Sequence, residues 1–256
     1  AVSAVPELEV LMAVHASDRA GWLRACLESL RDQTRPADLV RVVVDGPIGP
    51  ELAAVLEAAG HELPLRLLQL PVSRGLGAAL AAGLEASEAI LVARMDADDV
   101  ALPQRFARQR ARLEADAGLS VLGSDALLID EAGREVGVRR MPESEDAVRR
   151  RVWTNPFVHS SVVFRRADIL AVGGYEAALR TRQDYDLWFR CVAAGLRMGN
   201  LSEPLVCYRV ARRGKDRDLG VVWRQARIGW RGCRRVRAPL HARLGVVAPV
   251  LLALLP

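Results

Sequence analysis

The sequence predicts an α/β protein with a mostly parallel central sheet flanked by helices. A mixed C-terminal half and a helical C-terminal tail follow. Three observations carry this. Short apolar, β-branched runs alternate with helix-spaced segments over the first hundred residues, the pattern of β-α units around a parallel sheet. Several of these runs are followed closely by polar residues, Asp45, Ser73-Arg74 and Asp96, where sheets of this kind bind ligands. The chain has 256 residues, 51% hydrophobic and 26% charged. That composition belongs to a folded chain with a sizeable core and excludes disorder, collagen and a disulfide-held mini-protein.

The elements read in order as follows. Leu8 to Val14 is a buried strand. Trp22, Leu23, Cys26, Leu27 and Leu30 fall at helical spacing. Val40 to Val44 is a second strand, stopped by Asp45-Gly46-Pro47. Glu51 to Ala59 is a helix ended by Gly60, Leu65 to Leu70 a third strand, Leu76 to Ala86 an Ala-rich helix, and Ile90 to Ala93 a fourth strand. The pattern then changes. Pro103 to Glu114 is a basic amphipathic helix whose Arg105 to Arg112 face reads as solvated. Val121 to Ile129 and Glu135 to Val138 form a hairpin around a polar turn. A short helix (Ala147 to Val152), a strand (Ser161 to Phe164), a Gly173-Gly174 turn, a helix (Tyr185 to Ala194) and a late strand (Leu205 to Val210) precede the charged loop Arg212 to Asp218. With no repeat or low-complexity linker, residues 1–218 read as one unit, a nucleotide-binding half (1–100) and an acceptor half (101–218), with a basic, apolar tail at 219–256.

The charge balance is 36 basic against 31 acidic residues, or +5, and Lys215 is the single lysine. So small an excess permits phosphate or anionic surfaces without requiring them. With 5% aromatic residues and no recognition motif, nucleic acid is not an expected partner. Cys26, Cys191, Cys207 and Cys233 form no CxxC pair, which argues against zinc and for buried thiols in a reducing, cytoplasmic setting. The first apolar run is short and preceded by Glu7 and Glu9, unlike a secretion signal. No run reaches the ~18 to 20 apolar residues of a membrane span. Leu244 to Pro256 follows Arg231, Arg234, Arg235, Arg237 and Arg243. Two readings of this tail stay open: peripheral contact with the inner face of an anionic membrane, or packing on its own domain.

Arg94-Met95-Asp96-Ala97-Asp98-Asp99 is the most informative segment. Three carboxylates in four residues repel one another unless a cation joins them. Mg2+ or Mn2+ takes carboxylate and phosphate oxygens together, so a metal held with a diphosphate fits. The plain reading is a solvated turn with Asp99 capping the following helix. Gly75-Leu76-Gly77-Ala78-Ala79-Leu80 resembles a dinucleotide fingerprint, with Asp96 about twenty residues on. However, Leu80 stands where the third glycine belongs, and Pro71 to Arg74 separates the loop from its strand.

The segments Val10-Leu11-Met12-Ala13-Val14, Leu27-Glu28-Ser29-Leu30 with Gln33-Thr34, Val44-Asp45-Gly46-Pro47, Ser73-Arg74-Gly75-Leu76-Gly77 and Arg94 to Asp99 resemble, in order, a family 2 glycosyltransferase of the GT-A fold. Asn155-Pro156-Phe157-Val158-His159, Gly173-Gly174-Tyr175, Gln183-Asp184-Tyr185-Asp186-Leu187-Trp188 and Tyr208-Arg209 with Arg212-Arg213-Gly214 continue the likeness across residues 8 to 215. It is nearest to the branch that builds bacterial exopolysaccharide and other surface glycans. The resemblance implies a UDP-, GDP- or dTDP-sugar donor and a glycan or lipid-linked acceptor. It also implies Mn2+ or Mg2+. Asp45 and Arg74 would lie at the donor base, Asp96 at the ribose or a metal-bound water, and Asp98 on the metal. Arg212 and Arg213 would close over the diphosphate, and Asp184 would be the catalytic base of an inverting transfer.

The chemistry needs these residue types. An oxocarbenium-like transition state leaves negative charge on the departing diphosphate, and the attacking hydroxyl must lose a proton to a positioned carboxylate. Gln183 stands where the family usually has an acid, which removes a charge beside Asp184, and Val44 precedes Asp45 where many relatives have a second acid. His159 matches an acceptor-side position, or is a loop histidine bonded to backbone. Trp153 could stack on a sugar or simply pack. Asp186 reads as a helix-start residue and Trp188 and Phe189 as core. His15 reads as a satisfied buried histidine near the nucleotide cleft. A sugar nucleotidyltransferase is the alternative, but it needs a basic, Gly-rich loop after the first strand, where His15-Ala16-Ser17-Asp18 stands.

Overall fold

The computed structural model describes residues 5–210 and 219–253. Strands β1 (Leu8–Val14) and β2 (Leu39–Asp45) are buried over nearly their whole length, so both faces must be covered. Val10, Met12, Val42 and Val44 pack with Leu23, Leu27 and Val55 of helices α1 (Ala20–Arg31) and α2 (Pro50–Gly60). Leu11 and Val43, on the opposite face, pack with Ala79 and Leu80 of α3 (Leu76–Ala86). Strands β3 (Leu65–Leu70) and β4 (Leu91–Arg94) complete a parallel group in the order β3-β2-β1-β4. The sheet grows outward from β1 in both directions, so the carboxyl ends of β1, β2 and β4 open around a topological switch point.

The sheet continues through the mixed half. Its strands are β5 (Val100–Ala101), β6 (Leu119–Ile129), β7 (Glu135–Arg139), β8 (Val163–Arg165) and β9 (Arg197–Arg209). β8 runs antiparallel to β4 and β6, and β9 runs parallel to β6. β5 and β7 pair antiparallel with β9 and β6. The helices of this half are α4 (Arg105–Ala115), α5 (Glu145–Arg151), α6 (Arg166–Ala171) and α7 (Gln183–Ala193). The expected α/β architecture, with a mostly parallel curled sheet, is what the chain adopts. The sequence did not reveal β5, α6 or the first half of β9. β9 begins with Arg197, Gly199, Asn200, Ser202 and Glu203, which break the apolar pattern, and its extended form follows from pairing with β6.

The solvated-face reading of α4 is wrong for two of its arginines. Arg105 and Arg110 are buried, with Gln109 between them. The Arg105 guanidinium donates to the Arg94 carbonyl at 2.7 Å and to Met95 Sδ at 3.1 Å. Gln109 Nε2 donates to the Leu122 and Ser161 carbonyls. Gln33, part of the family-like Gln33-Thr34 pair, donates to the carbonyls of Ser29 and Leu102 and accepts from Phe106 N. These buried polar side chains bolt α1 and α4 to the segment that follows β4.

The tail forms α8 (Leu219–Arg235), α9 (Leu240–Gly245) and α10 (Ala248–Ala253). Ala226, Gly229, Gly232 and Cys233 are the buried face of α8. Gly232 sits so near Phe189 of α7 that a Cβ there would lie 2.2 Å from the ring. The tail is therefore packed on its own domain, while Trp223, Trp230, Leu240 and Leu244 stay exposed. No helix among the described residues is long and apolar enough to cross a membrane. Gly232→Val should destabilise the protein by about 1–3 kcal/mol and expose the chain near residue 235 to limited proteolysis. An unchanged urea midpoint and cleavage pattern would contradict this docking.

Candidate active site

The acidic segment leaves β4 directly over the switch point. Asp96, Asp98 and Asp99 each present an oxygen within 4.8 Å of the others. Their environments differ. Asp99 is buried; its carboxylate accepts from Arg209 N at 2.7 Å and from the Ser160 hydroxyl. Asp99 therefore caps no helix: α4 starts at Arg105 after Gln104, which makes no side-chain cap. Asp96 pairs with the buried Arg94 guanidinium, and Asp98 is exposed at the rim. Lost hydration, then the Asp96 charge, pushes Asp98 up to about 6. Burial and the charges of Asp96 and Asp98 hold Asp99 well above the usual carboxylate range. Three mutually repelling carboxylates form an oxygen donor set that a divalent cation would relieve.

Asp45, at the end of β2, folds back on the chain. Its carboxylate accepts from Arg74 N at 2.7 Å, Gly75 N at 2.8 Å and Ser73 Oγ at 3.0 Å. It thus fixes the 73–75 loop and leaves Arg74 exposed at the cleft. Gly75 and Gly77 serve packing rather than a dinucleotide. A Cβ on Gly77 would stand 2.1 Å from the Leu179 carbonyl, and the Arg180 side chain lies against Gly75. The 176–180 segment is thereby pressed onto the start of α3.

Asp184 opens α7 and is nearly buried, at 9% exposure. Its Oδ2 accepts from Asn155 Nδ2 at 2.8 Å. Asn155 holds a left-handed backbone at φ 58°, and Arg182 another at φ 63°. Non-glycine residues adopt this region at a cost, and such strain gathers at functional sites. Asn155 Oδ1 and Gln183 Oε1 are buried without partners. A polar cavity of about 330 Å³, lined in part by Asn155, Arg151 and Arg182, opens beside them.

His159 is bonded through its side chain: Nε2 lies 3.0 Å from the Tyr175 hydroxyl. Burial, then the Arg94 charge, holds His159 well below the usual imidazole value, so the ring is neutral near pH 7. Burial raises Tyr175 above the usual phenol value; the Arg94 charge lowers it, and the Asp184 and Asp96 charges add to the rise. Trp153 is not in this group: its ring packs on Gly245 and meets His241 edge-on. His15 is exposed and bonded to Ser17, contrary to the buried-histidine expectation. Trp188 and Phe189 are core, Asp186 pairs with Arg190, and the described cysteines are free thiols. Arg212 and Arg213 lie outside the described residues.

Several residues emerge only in three dimensions. Arg209 stacks on Trp22 at 4.8 Å while its Nε donates to the Asp98 carbonyl at 2.8 Å. Ser160 and Asn155 support the carboxylates from turns distant in sequence, Arg94 pairs with Asp96 from the end of β4, and Arg105 braces the Arg94 carbonyl from α4. The Asn155 and His159 turn carried a family-like motif, but Arg105 was hidden in a helix whose charge pattern looked external.

Residues 10–173 match the family model for glycosyl transferase family 2. The chain is 36% identical to an uncharacterized glycosyltransferase of Haemophilus influenzae, covering 88% of this chain and 83% of that protein. It is 37% identical to the amylovoran biosynthesis glycosyltransferase AmsE of Erwinia amylovora, over 78% and 75%. It is 28% identical to the UDP-Gal:alpha-D-GlcNAc-diphosphoundecaprenol beta-1,3-galactosyltransferase of Escherichia coli, over 84% and 78%. Its fold superposes on Staphylococcus aureus TarS residues 1–349 with a TM-score of 0.68 at 18% identity, over 96% of this chain and 71% of that one. The Pyrobaculum calidifontis mannosyltransferase PcManGT, solved with GDP-Man and Mn2+, matches with a TM-score of 0.67 at 17% identity, over 98% and 69%. The chain belongs to glycosyl transferase family 2 and has the GT-A fold.

Removing the hydroxyl under Asp99 should reveal how much the cluster leans on it. Ser160→Ala should lower stability by about 1–3 kcal/mol, the cost of a lost partner for a buried charged group. A urea midpoint equal to that of the parent protein would show that Ser160 does not support the carboxylate.

Proposed function

We propose that the protein is an inverting, metal-dependent glycosyltransferase. It would move a sugar from a UDP-, GDP- or dTDP-sugar to a hydroxyl of a glycan or lipid-linked acceptor in bacterial surface polysaccharide synthesis. The reading rests above all on one observation: Asp96, Asp98 and Asp99, directly after the carboxyl end of β4, present oxygens within 4.8 Å of one another, a donor set suited to a divalent cation. The names of AmsE and the E. coli galactosyltransferase, and the ligands of PcManGT, support the substrate class.

Asp98, with Asp96 beside it, would hold Mn2+ or Mg2+, which when bound supplies positive charge against the donor's diphosphate. Asp99 is already committed to Ser160 and Arg209 and keeps the loop in shape. Asp45 acts through the 73–75 loop, presenting its backbone and Arg74 toward the donor base. Asn155 orients the Asp184 carboxylate. In the transfer, the acceptor oxygen bonds to the anomeric carbon on the face opposite the diphosphate. The bond to the β-phosphate oxygen breaks, its electron pair leaves with the diphosphate, and the acceptor proton passes to Asp184. One displacement with no protein nucleophile inverts the anomeric centre. Gln183 leaves Asp184 without an acid directly before it, between Arg182 and the Asp186–Arg190 pair. His159, neutral and tied to Tyr175, shapes the acceptor wall rather than carrying a proton. The enzyme would work at the cytoplasmic face of the membrane, where activated sugars are available.

Release of nucleoside diphosphate from a panel of UDP-, GDP- and dTDP-sugars, supplied with a glycan or lipid-linked acceptor, tests the reading. Asp184→Asn should lower that turnover about 10²–10⁴-fold while nucleotide binding persists. Pyrophosphate release from a nucleoside triphosphate, or full turnover by Asp184→Asn, would contradict it.

A further inference from the structure

A second cavity, of about 430 Å³, lies between the 178–181 turn and α8, and the glycosyltransferase reading leaves it unassigned. Four guanidinium groups border it: Arg180, Arg224, Arg227 and Arg231. None has an acidic partner among the described residues, whereas Arg19, Arg31, Arg35, Arg41 and Arg197 all do. No Asp or Glu occurs anywhere from residue 219 to the end of the sequence. Four like charges around one cavity repel, and a polyanion placed among them offsets that repulsion. Arginine forks match phosphate oxygens in pairs.

The cavity is not purely polar. Leu179 and Ile228 line it beside the arginines. Helical spacing places exposed Trp223 and Trp230 on a stripe directly next to the one bearing Arg227 and Arg231. Leu240 and Leu244 of α9 are exposed as well. Tryptophan beside arginine on an amphipathic helix suits a boundary between headgroups and acyl chains. A free nucleotide or a soluble glycan has no use for such a surface, but a phosphorylated lipid does. The position is also telling. Arg180 lies against Gly75 of the donor loop, and Thr181, which lines the cavity, is three residues before Asp184. An anion held here stands next to the 73–75 loop, on the segment that leads into Asp184.

We propose that this cavity binds the diphosphate of a lipid-diphosphate-linked acceptor, with the lipid running along the Trp223–Trp230 stripe and the terminal sugar reaching Asp184. The proposal rests on the glycosyltransferase reading and selects, among its acceptors, the lipid-linked class. The E. coli relative named above, whose printed acceptor is a diphosphoundecaprenol-linked sugar, is consistent with it.

Calorimetry on the full chain tests this with farnesyl diphosphate as a soluble lipid diphosphate. UDP, GDP and dTDP with Mn2+ report on the donor site. The triple variant Arg224→Ala/Arg227→Ala/Arg231→Ala alters exposed side chains, and Arg227→Glu serves as a second, independent variant. Parent protein should bind farnesyl diphosphate. The triple variant should bind it at least tenfold more weakly and Arg227→Glu should weaken it as well, with nucleoside diphosphate affinity unchanged in both. Equal farnesyl diphosphate affinity in parent and variants would overturn the proposal. So would a parallel loss of nucleoside diphosphate affinity, which would assign the arginines to the donor. Arginine-dependent capture by phosphatidylglycerol vesicles without farnesyl diphosphate binding would also overturn it, leaving a general membrane contact. Failure of the parent protein to bind UDP, GDP or dTDP would instead bring down the donor reading, and this inference with it.

Discussion

Repulsion among Asp96, Asp98 and Asp99 is the constraint around which the molecule is arranged. A chain does not bring three carboxylate oxygens within 4.8 Å of one another at no cost. The architecture supplies countermeasures from every side. Arg94 and Arg105 are buried beneath the cluster, the first against Asp96 and the second bracing the Arg94 carbonyl. Ser160 and the Arg209 amide satisfy Asp99. These groups come from β4, α4, the turn before β8 and the end of β9, so the strand order β4-β8-β6-β9 is what places them together. The arrangement still leaves Asp98 raised and open to the cleft, where a cation with a diphosphate would complete it.

The surroundings of Asp184 are built on a different principle, backbone strain rather than charge. Asn155 and Arg182 both hold left-handed conformations and line a polar cavity, and Asn155 donates a hydrogen bond to the Asp184 carboxylate. The 176–180 segment, pressed onto Gly75 and Gly77, ties this side to the donor loop. Docking of α8 on Phe189 adds a third wall, and its outer face carries the unpaired arginines. The 73–77 loop and α8 both meet residues 176–181, the segment that leads into Asp184.

Much of this was legible in the sequence. The parallel half was readable because β1 and β2 are buried on both faces and the helices between them are strongly periodic; Leu65 to Leu70 and Leu76 to Ala86 fall where the pattern puts them. The acidic cluster was readable because strand ends concentrate polar residues. What stayed hidden was hidden for physical reasons. Arg105 and Arg110 look like solvent-facing charges, and only the tertiary arrangement gives Arg105 buried acceptors and Arg110 a partner in Glu7. The first half of β9 has no apolar alternation of its own and takes its form from β6. Trp153 had the chemistry of a sugar platform but is occupied by Gly245. Asn155 signals its role through a backbone angle that no residue pattern encodes.

The most direct test of the account is the metal dependence of nucleoside diphosphate binding, measured by titrating UDP and GDP into the protein in Mn2+ and in chelator. The account predicts at least tenfold tighter binding of one of them with Mn2+, and loss of that gain in Asp98→Asn. Equal affinity in chelator, or a Mn2+ effect that persists undiminished in Asp98→Asn, would contradict it.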